Sequence, residues 1–308
     1  MDVPPQILKC VAFVGYRDKN EQERLAGTCV LLTRTTPYPD FNVLYVVTAR
    51  HVIEGIKGRG GEPHLRVNLA SSGVSPQPLP GPWQFHQDDA VDLAASCLTA
   101  DGTDDAERWD HFALPWTVVE PDPVNGADPR HIAVGEDIFA TGLFYQHSGT
   151  ERNIPIVRLG GIAALPEEGV LVEVGAPGNP RTALAEAYLV EMHSQMGLSG
   201  SPVFIVQTRE AFHRGLRLPG TLYTPRTNSP IYLLGLLTGH FDKKTAVLED
   251  LTGEVAKANV GISVVVPYYK LVELFNGPNF QANECQVIKA YERERSATMD
   301  LHDEEKRD

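Results

Sequence analysis

The sequence has little cysteine and no long apolar run. Four cysteines are scattered through 308 residues, and no run approaches the roughly 20 apolar residues of a membrane span. The first residues lack the basic start of a secretory signal, and the apolar piece at residues 10–14 is too short for a signal core. These absences predict a cytoplasmic protein in a reducing compartment, without structural disulfides.

The sequence also lacks the spacings that bind metals, phosphates or nucleotides. The ten histidines include no His-Glu-x-x-His pattern and no cluster with cysteine, and neither a Walker A motif nor a dinucleotide fingerprint is present. We therefore expect no metal and no cofactor. Basic residues are few, and the formal net charge is −13. Because nucleic acids and anionic membranes bind basic faces, we expect neither as a partner.

Short apolar runs, broken by Gly, Pro, Asp and Asn, fill the chain before residue 267, and helical periodicity is scarce there. Candidate strands are residues 26–34, 42–49, 64–70, 91–98, 137–143, 156–165, 187–192, 202–207, 231–238 and 260–266. Many short strands at such spacing indicate an all-β barrel or sandwich. The segment 73–82 carries four prolines, which leaves no room for strand pairing and predicts a loop.

An acidic, proline-rich stretch at residues 101–130 predicts a linker between two units. We expect an N-terminal β-barrel at residues 1–115 and a C-terminal β-barrel at 116–277. Residues 278–308 are charged and predict a tail, either a solvated helix or disordered. Residues 208–230 are locally basic; they predict a solvated loop, with a regulatory or partner-binding loop as the alternative.

A glycine-rich turn at residues 197–202, with the sequence Gly-Leu-Ser-Gly-Ser-Pro, lies between two apolar runs. Such a turn can hold the hydroxyl of Ser199 out of a sheet as a nucleophile. It can also aim the backbone N–H groups of Gly197 and Ser199 at one point, where they would form an oxyanion hole. This turn therefore predicts acyl-transfer chemistry.

A serine is a weak nucleophile without a base, and the base needs a carboxylate that fixes its tautomer. His51 ends an apolar run and is the candidate base. Asp92 is the candidate carboxylate, since alternation turns its apolar neighbours away from it, although Asp88 and Asp89 are close in the chain. The order His, Asp, Ser is also that of chymotrypsin.

These segments resemble the motifs of trypsin-like serine proteases, which have the chymotrypsin fold. Thr-Ala-Arg-His at residues 48–51 resembles their Thr-Ala-Ala-His, and Asp-Leu-Ala at 92–94 resembles their Asp-Ile-Ala. The turn at 197–202 resembles their Gly-Asp-Ser-Gly-Gly-Pro, and its Gly-Ser-Pro-Val-Phe ending is closer to the bacterial glutamyl-endopeptidase branch. Residues 234–239 resemble the substrate-binding strand, and residues 261–272 resemble the last strand and closing helix.

The resemblance covers residues 8–277 and implies two six-stranded β-barrels, a C-terminal helix, and a site in the cleft between the barrels. It implies a serine endopeptidase that cleaves a protein or peptide substrate through an acyl-enzyme. Ser199 would attack, His51 would take and return the proton, and Asp92 would orient His51.

The sequence also allows two alternatives to an active protease. One is a latent or inactive trypsin-fold binding or sensor protein, in which the triad aligns only when an activating partner binds. The other, an α/β-hydrolase esterase, is disfavoured because Ser201 stands where the nucleophile elbow needs glycine and strand–helix alternation is missing.

Leu198 departs from the family pattern. Activated trypsins have an aspartate at this place, and it pairs with a newly cut N-terminus. Because Leu198 cannot form that ion pair, we expect no activation through a new N-terminus. Activity would be constitutive, or switched by a partner or ligand that orders the turn.

The resemblance also implies a substrate pocket. His193 would lie near its floor, and Thr238, Gly239 and His240 would form its wall. No carboxylate occupies the floor position, so a preference for Arg or Lys is not expected. Glutamyl relatives use a histidine where this chain has Leu237; His193 or His240 could substitute for it, or each could be a polar pocket or surface residue.

Overall fold

The computed structural model describes residues 3–79, 82–98, 108–123, 130, 132–174, 181–193, 197–207, 222–224, 229–245 and 256–305. Within this part of the chain the strands form two large sheets and a separate two-stranded hairpin. One large sheet comes from each half of the chain, and helices follow the second.

The first sheet contains eight strands. They are β1 (Val11–Arg17), β2 (Glu23–Thr35), β3 (Asn42–Thr48), β4 (His64–Asn68), β5 (Val74–Pro78), β6 (Gln84–Phe85), β7 (Ala94–Leu98) and β8 (Leu114–Pro115). Hydrogen bonds link them in the order β5-β4-β1-β2-β3-β7-β6, and β8 pairs in parallel with β2. Only residues 79–83 separate β5 from β6, so the two ends of this path lie near each other.

The second half of the chain forms a closed barrel. Its strands and the hairpin are β9 (Asp137–Gly142), β10 (Ile156–Ala164), β11 (Val170–Val174), β12 (Arg181–Ala185), β13 (Tyr188–Glu191), β14 (Pro202–Val206), β15 (Leu222–Tyr223), β16 (Pro230–Thr245) and β17 (Ala256–Pro267). The order is β14-β9-β10-β13-β17-β16, and pairing of β14 with β16 closes the ring. β15 adds to the outside of β16, while β11 and β12 pair only with each other in the described chain.

Both sheets have the same strand order. When the β11–β12 hairpin and the short β8 and β15 are set aside, the first three strands of each sheet are neighbours, the last strand joins the third, and the fifth and fourth lead back to the first. In the first sheet the fifth strand is split into β5 and β6. This repeated order is that of two chymotrypsin-like β-barrels. The predicted all-β fold with two such barrels and a C-terminal helix is therefore confirmed.

Three apolar cores hold the barrels, and alternation along β2 shows how they are separated. Cys29 and Leu31 point into the interior of the first barrel, whereas Val30 and Leu32 point to a core that the two barrels share. Phe139 and Phe204 of the second barrel enter the shared core, and a third core fills the second barrel. Strands buried on both faces explain why their apolar runs are continuous.

The helices are α1 (Pro5–Leu8), α2 (Arg50–Gly58), α3 (Tyr268–Asn276) and α4 (Pro278–Glu305). α4 differs from the expected solvated tail because one face of its first half packs against the first barrel. Phe280 is buried in the shared core, and the Tyr291 ring stacks on Phe41 with centroids 4.1 Å apart. The hydroxyl of Tyr45 donates a hydrogen bond to Glu284. Polar residues on the other face hide this spacing in the sequence.

Two loop predictions meet different outcomes. The proline-rich segment 73–82 was expected to be unpaired, and this was wrong, because β5 pairs with β4 along its length. β5 lies at the end of the hydrogen-bonded path, where proline is tolerated since one edge of the strand has no partner to donate to. Residues 108–123 of the predicted linker at 101–130 are described and pack on the first sheet, since β8 pairs with β2 and Leu114, Val118 and Val119 are buried in the shared core. Most of the loop at 208–230 lies outside the described residues. The domain boundaries at 115/116 and 277/278 stay predictions.

Candidate active site

His51 lies in the first turn of α2, not at the end of a strand as its apolar run predicted. β3 ends at Thr48, and α2 begins two residues later. The apolar face of α2 packs Val52, Ile53 and Ile56 into the interior of the first barrel. This burial fixes the helix and leaves the His51 side chain 25% exposed at the surface of the barrel.

Asp92 binds His51 at two points. The backbone N–H of His51 donates to Oδ1 at 2.9 Å, and the ring Nδ1 lies 2.6 Å from Oδ2. No side chain caps α2 from Ala49, so the Asp92 carboxylate satisfies one of the open N–H groups of the helix. Val91 and Leu93 on either side of Asp92 are buried in the shared core and hold the carboxylate in place.

The neighbouring carboxylates have other partners. Asp89 pairs with Arg50 at 2.8 Å and with Arg181 of the β11–β12 hairpin at 3.3 Å. Asp88 accepts a hydrogen bond from the backbone N–H of Ala90 at 2.8 Å. Of the three aspartates that the sequence left open, only Asp92 contacts the histidine in the described structure.

The environment of His51 suits a base. Burial lowers the pKa of the imidazole, but the charge of Asp92, its hydrogen bond and the charge of Glu54 outweigh burial, and the pKa of His51 is raised above its ordinary value. A carboxylate at Nδ1 also favours the tautomer that carries its proton there, which leaves Nε2 as an acceptor.

The turn at residues 197–202 has the backbone that its sequence predicted. Gly197 and Gly200 have φ values of 100° and 84°, which glycine adopts without strain. The N–H of Ser201 donates to the carbonyl of Leu198 at 2.9 Å, and the N–H of Gly200 donates to Leu237 on β16 at 2.7 Å. The first bond closes the turn on itself, and the second fastens its C-terminal end to the second barrel, where the N–H of Leu237 also donates to the carbonyl of Ser201 at 2.9 Å.

The same turn touches the first barrel directly beside α2. A Cβ on Gly200 would lie 2.1 Å from the carbonyl oxygen of Thr28 and 2.3 Å from Oγ1 of Thr48. The carbonyl of Ser199 accepts a hydrogen bond from the N–H of Thr28 at 2.9 Å. The structure therefore brings Ser199 to the junction of the two barrels, next to the residues that lead into His51.

The hydroxyl and the backbone N–H of Ser199 are not engaged within the described chain, in contrast to its carbonyl. Its Oγ makes no hydrogen bond to His51 there, and the N–H groups of Ser199 and Gly197 have no acceptor among the described residues. Unengaged N–H groups at this place fit an oxyanion hole, which needs donors free to receive a substrate oxygen. Catalytic hydrogen bonds are often long in unliganded sites and tighten when substrate binds.

Thr28 is a further residue of this site that the sequence did not single out. Its Oγ1 donates to the carbonyl of Gly197 and accepts from the N–H of Leu143, each at 2.8 Å. Its carbonyl accepts from Thr48 Oγ1 at 2.6 Å. A threonine in a strand has no local signal for such a role, because its partners come from three distant segments of the chain.

The predicted pocket residues lie on β16 or just after β13, the two strands that flank β17 in the second barrel. His193 is exposed after β13, and a Cβ on Gly261 would lie 3.3 Å from its ring. Thr238 and Gly239 are half-buried on β16, and a Cβ on Gly239 would meet nothing within 4 Å. His240 pairs with β17 through its backbone, while its side chain lies outside the described part.

The described residues contain no group of three or more His, Cys, Asp or Glu arranged to hold a metal ion. None of the helices in this part of the chain is long and apolar enough to cross a membrane. All four cysteines are free. Burial raises the pKa of the Cys29 and Cys97 thiols to about 12, so neither is a thiolate at neutral pH.

Comparisons with known proteins add little to these observations. No protein-family model matches the sequence, and no curated protein matches it. Among solved structures 54 chains are similar. One, human heparin binding protein, is 9% identical with a TM-score of 0.39, over 89% of this chain and 91% of that chain. A similarity this distant carries no argument. The strand order alone gives the chain its chymotrypsin-like, or trypsin-like, fold.

Proposed function

We propose that this protein is a serine endopeptidase. The observation that carries the proposal is the two-point contact of Asp92 with His51 at the barrel junction where the Ser199 turn also lies. A buried carboxylate that orients an imidazole, beside a serine on a tight glycine turn, is the arrangement that nucleophilic acyl transfer requires.

In the proposed reaction Ser199 Oγ attacks the scissile carbonyl carbon while His51 Nε2 takes the hydroxyl proton. Asp92 stays ionised and stabilises the imidazolium. His51 then gives the proton to the departing amine as the C–N bond breaks, which leaves an acyl-enzyme. Water then attacks the acyl carbon while His51 takes its proton, and His51 returns that proton to Ser199 Oγ as the acid is released.

The oxyanion of each tetrahedral intermediate would be bound by the N–H groups of Gly197 and Ser199. Support comes from their lack of acceptors in the described chain and from the positive φ of Gly197. A side chain at Gly197 would also lie within 3.2 Å of Leu143. Loss of one oxyanion donor lowers turnover by about 10²–10³-fold.

We propose a protein or peptide as the substrate, bound beside β16 with the pocket residues His193, Thr238, Gly239 and His240. The Gly-Ser-Pro-Val-Phe ending of the turn supports a place near the glutamyl-endopeptidase branch, in which case His193 or His240 would face an acidic side chain. Cleavage of a peptide library mainly after Arg or Lys would overturn this assignment.

We also propose a cytoplasmic location, for which the support is four cysteines without a disulfide. Metal, cofactor and nucleic acid have no place in the proposed reaction. An activating partner remains part of the proposal because the hydroxyl of Ser199 makes no hydrogen bond to His51 in the described chain. The same observation supports the second candidate function, a latent trypsin-fold binding or sensor protein.

The deciding experiment is labelling with a fluorophosphonate probe, read by intact mass. Ser199 Oγ would attack phosphorus and displace fluoride. Ser199→Ala should abolish the adduct, whereas Ser201→Ala, a matched control two residues away with a fully buried hydroxyl, should retain it. A single adduct that depends on Ser199 supports the endopeptidase. No adduct on the native chain rejects an endopeptidase that is active without a partner, in favour of the latent protein.

A further inference from the structure

The turn at residues 197–202, called the oxyanion turn below, belongs to the second barrel but is held by a residue of the first. Thr28 on β2 is fully buried, and its backbone N–H and its side-chain hydroxyl both reach the turn. The hydroxyl donates to Gly197 O at 2.8 Å, and the N–H donates to Ser199 O at 2.9 Å. One residue thus binds the carbonyl groups on both sides of Leu198.

These bonds orient three consecutive peptide groups. The carbonyl between them, Leu198 O, accepts from the N–H of Ser201 at 2.9 Å. In a trans peptide the N–H points opposite to the C=O, so fixing a carbonyl also fixes the N–H that follows it. The direction of the Ser199 N–H is therefore set by hydrogen bonds to three consecutive carbonyls, those of residues 197, 198 and 199. Two of these carbonyls accept from Thr28.

The hydroxyl of Thr28 also joins the turn to β9. It accepts the N–H of Leu143, the residue directly after β9, at 2.8 Å. Leu143 in turn lies against Gly197, where a Cβ would approach its side chain to 3.0 Å. The hydroxyl thus donates its proton and also accepts a hydrogen bond, in a site without exposed surface.

We propose that Thr28 is a positioning residue whose hydroxyl holds the oxyanion turn in its active conformation. This inference rests on the proposed function. Leu198, where the family has the aspartate of its ion pair, is buried in the core of the second barrel. Apolar burial on one side and the Thr28 hydroxyl on the other hold the turn, and both are present without any cut in the chain.

The test compares two buried threonines. Thr28→Val keeps the shape and the backbone N–H but removes the hydroxyl, and Thr28→Ser keeps the hydroxyl. The matched control is Thr141→Val on β9, because Thr141 is also fully buried but its hydroxyl has no partner in the described chain. Each protein is measured for kcat and KM on a peptide substrate, fluorophosphonate labelling rate, and amide exchange at residues 197–201.

Thr28→Val should lower kcat and the labelling rate by about 10²-fold with little change in KM, since misplaced donors affect the transition state more than substrate binding. Thr28→Ser should restore most of the rate, and Thr141→Val should match the native protein. Exchange at 197–201 should accelerate only in Thr28→Val. Equal rates in Thr28→Val and the native protein, or no rescue by serine, would overturn the proposal.

The exchange measurement separates this inference from the proposed function. If the native protein neither labels nor cleaves, the endopeptidase fails, and exchange alone then tests whether Thr28 holds the turn. If Thr28→Val does not fold, Thr28→Ser carries the test. If Thr28→Ser labels at the native rate and residues 197–201 exchange at the native rate, the proposed role is supported. If Thr28→Ser folds but labels slowly and exchanges fast at 197–201, the role is contradicted.

Discussion

The carboxylate of Asp92 serves two parts of His51 at once, the backbone N–H in the first turn of α2 and the ring Nδ1. Capping a helix and orienting an imidazole are thereby tied to one side chain. Its neighbour Asp89 is paired with Arg50 and Arg181 at the surface and has no contact with the histidine in the described structure.

Asp92→Asn should lower the rate of acylation by about 10⁴-fold, because an amide can present its N–H₂ to Nδ1 and favour the wrong tautomer. The measurement is single-turnover release from an activated ester or the labelling rate. Asp89→Asn is the control and should stay within about twofold of the native rate, since exposed ion pairs contribute little. A comparable loss in both variants would contradict the assignment of Asp92.

Labelling should increase with pH through a midpoint above about 6.5, the ordinary value for histidine. The base must be neutral, and Asp92 and Glu54 raise the pKa of His51 despite its burial. In Asp92→Asn only the charge of Glu54 opposes burial, so the midpoint should fall below the native one. A native midpoint under about 6 would show that the charge of Asp92 does not raise the pKa of the His51 ring.

The same shift affects stability. Because the folded pKa of His51 is raised, protonated His51 stabilises the folded state; this contribution is complete below the unfolded pKa and is lost as pH rises through the folded value. The stability difference between the native protein and His51→Gln should therefore be larger at pH 5 than at pH 8. Denaturant unfolding at the two pH values measures it, and a difference independent of pH would argue against the raised pKa.

Gly200→Ala should disrupt the junction of the barrels. The new methyl would lie 2.1 Å from the Thr28 carbonyl, and the φ of 84° is unfavourable for alanine. We expect loss of labelling and a clear drop in the melting temperature. Gly58→Ala in α2, where a methyl meets nothing within 4 Å, is the matched control and should label normally. Normal labelling of Gly200→Ala would mean that the turn does not lie against β2.

Phe280→Ala in α4 should destabilise the protein by about 3–5 kcal/mol, the usual loss for a large aromatic side chain removed from a core. Phe280 is 1% exposed and packs on Phe275 with ring centroids 4.1 Å apart. Urea unfolding measures the effect, and Asn279→Ala, exposed on the same turn, is the control. A loss under about 1 kcal/mol would indicate that α4 does not belong to the core.

The sequence predicted the long strands because they depend on local patterns, and local motifs also marked the three candidate catalytic residues, whose roles stay predictions. Apolar runs marked β2, β3, β14 and the inner part of β17 within a few residues. It did not predict α2, since a nine-residue helix after a continuous apolar strand leaves no break in hydrophobicity. The β11–β12 hairpin was missed as well, because its outward leucines, Leu171 and Leu184, obscure alternation.

The part of the site that could not be predicted is made by contacts across the barrels. Thr28 is 169 residues from Gly197 in the chain, and no pattern in a single strand indicates which carbonyl its hydroxyl will meet. The choice among Asp88, Asp89 and Asp92 likewise depended on the position of α2. Local chemistry identifies the residue types, but only the packed barrels decide which of them touch.

The shared core has a consequence for the order in which a newly made chain acquires its site. His51, Asp92 and Ser199 are all synthesised before α4, yet Val91 and Leu93, which hold Asp92, lie in the same core as Phe280. While the ribosome is still translating α4, the cleft residues are present but the core that holds the carboxylate is incomplete. The activity proposed for this protein would therefore have to wait for a helix that lies late in the chain.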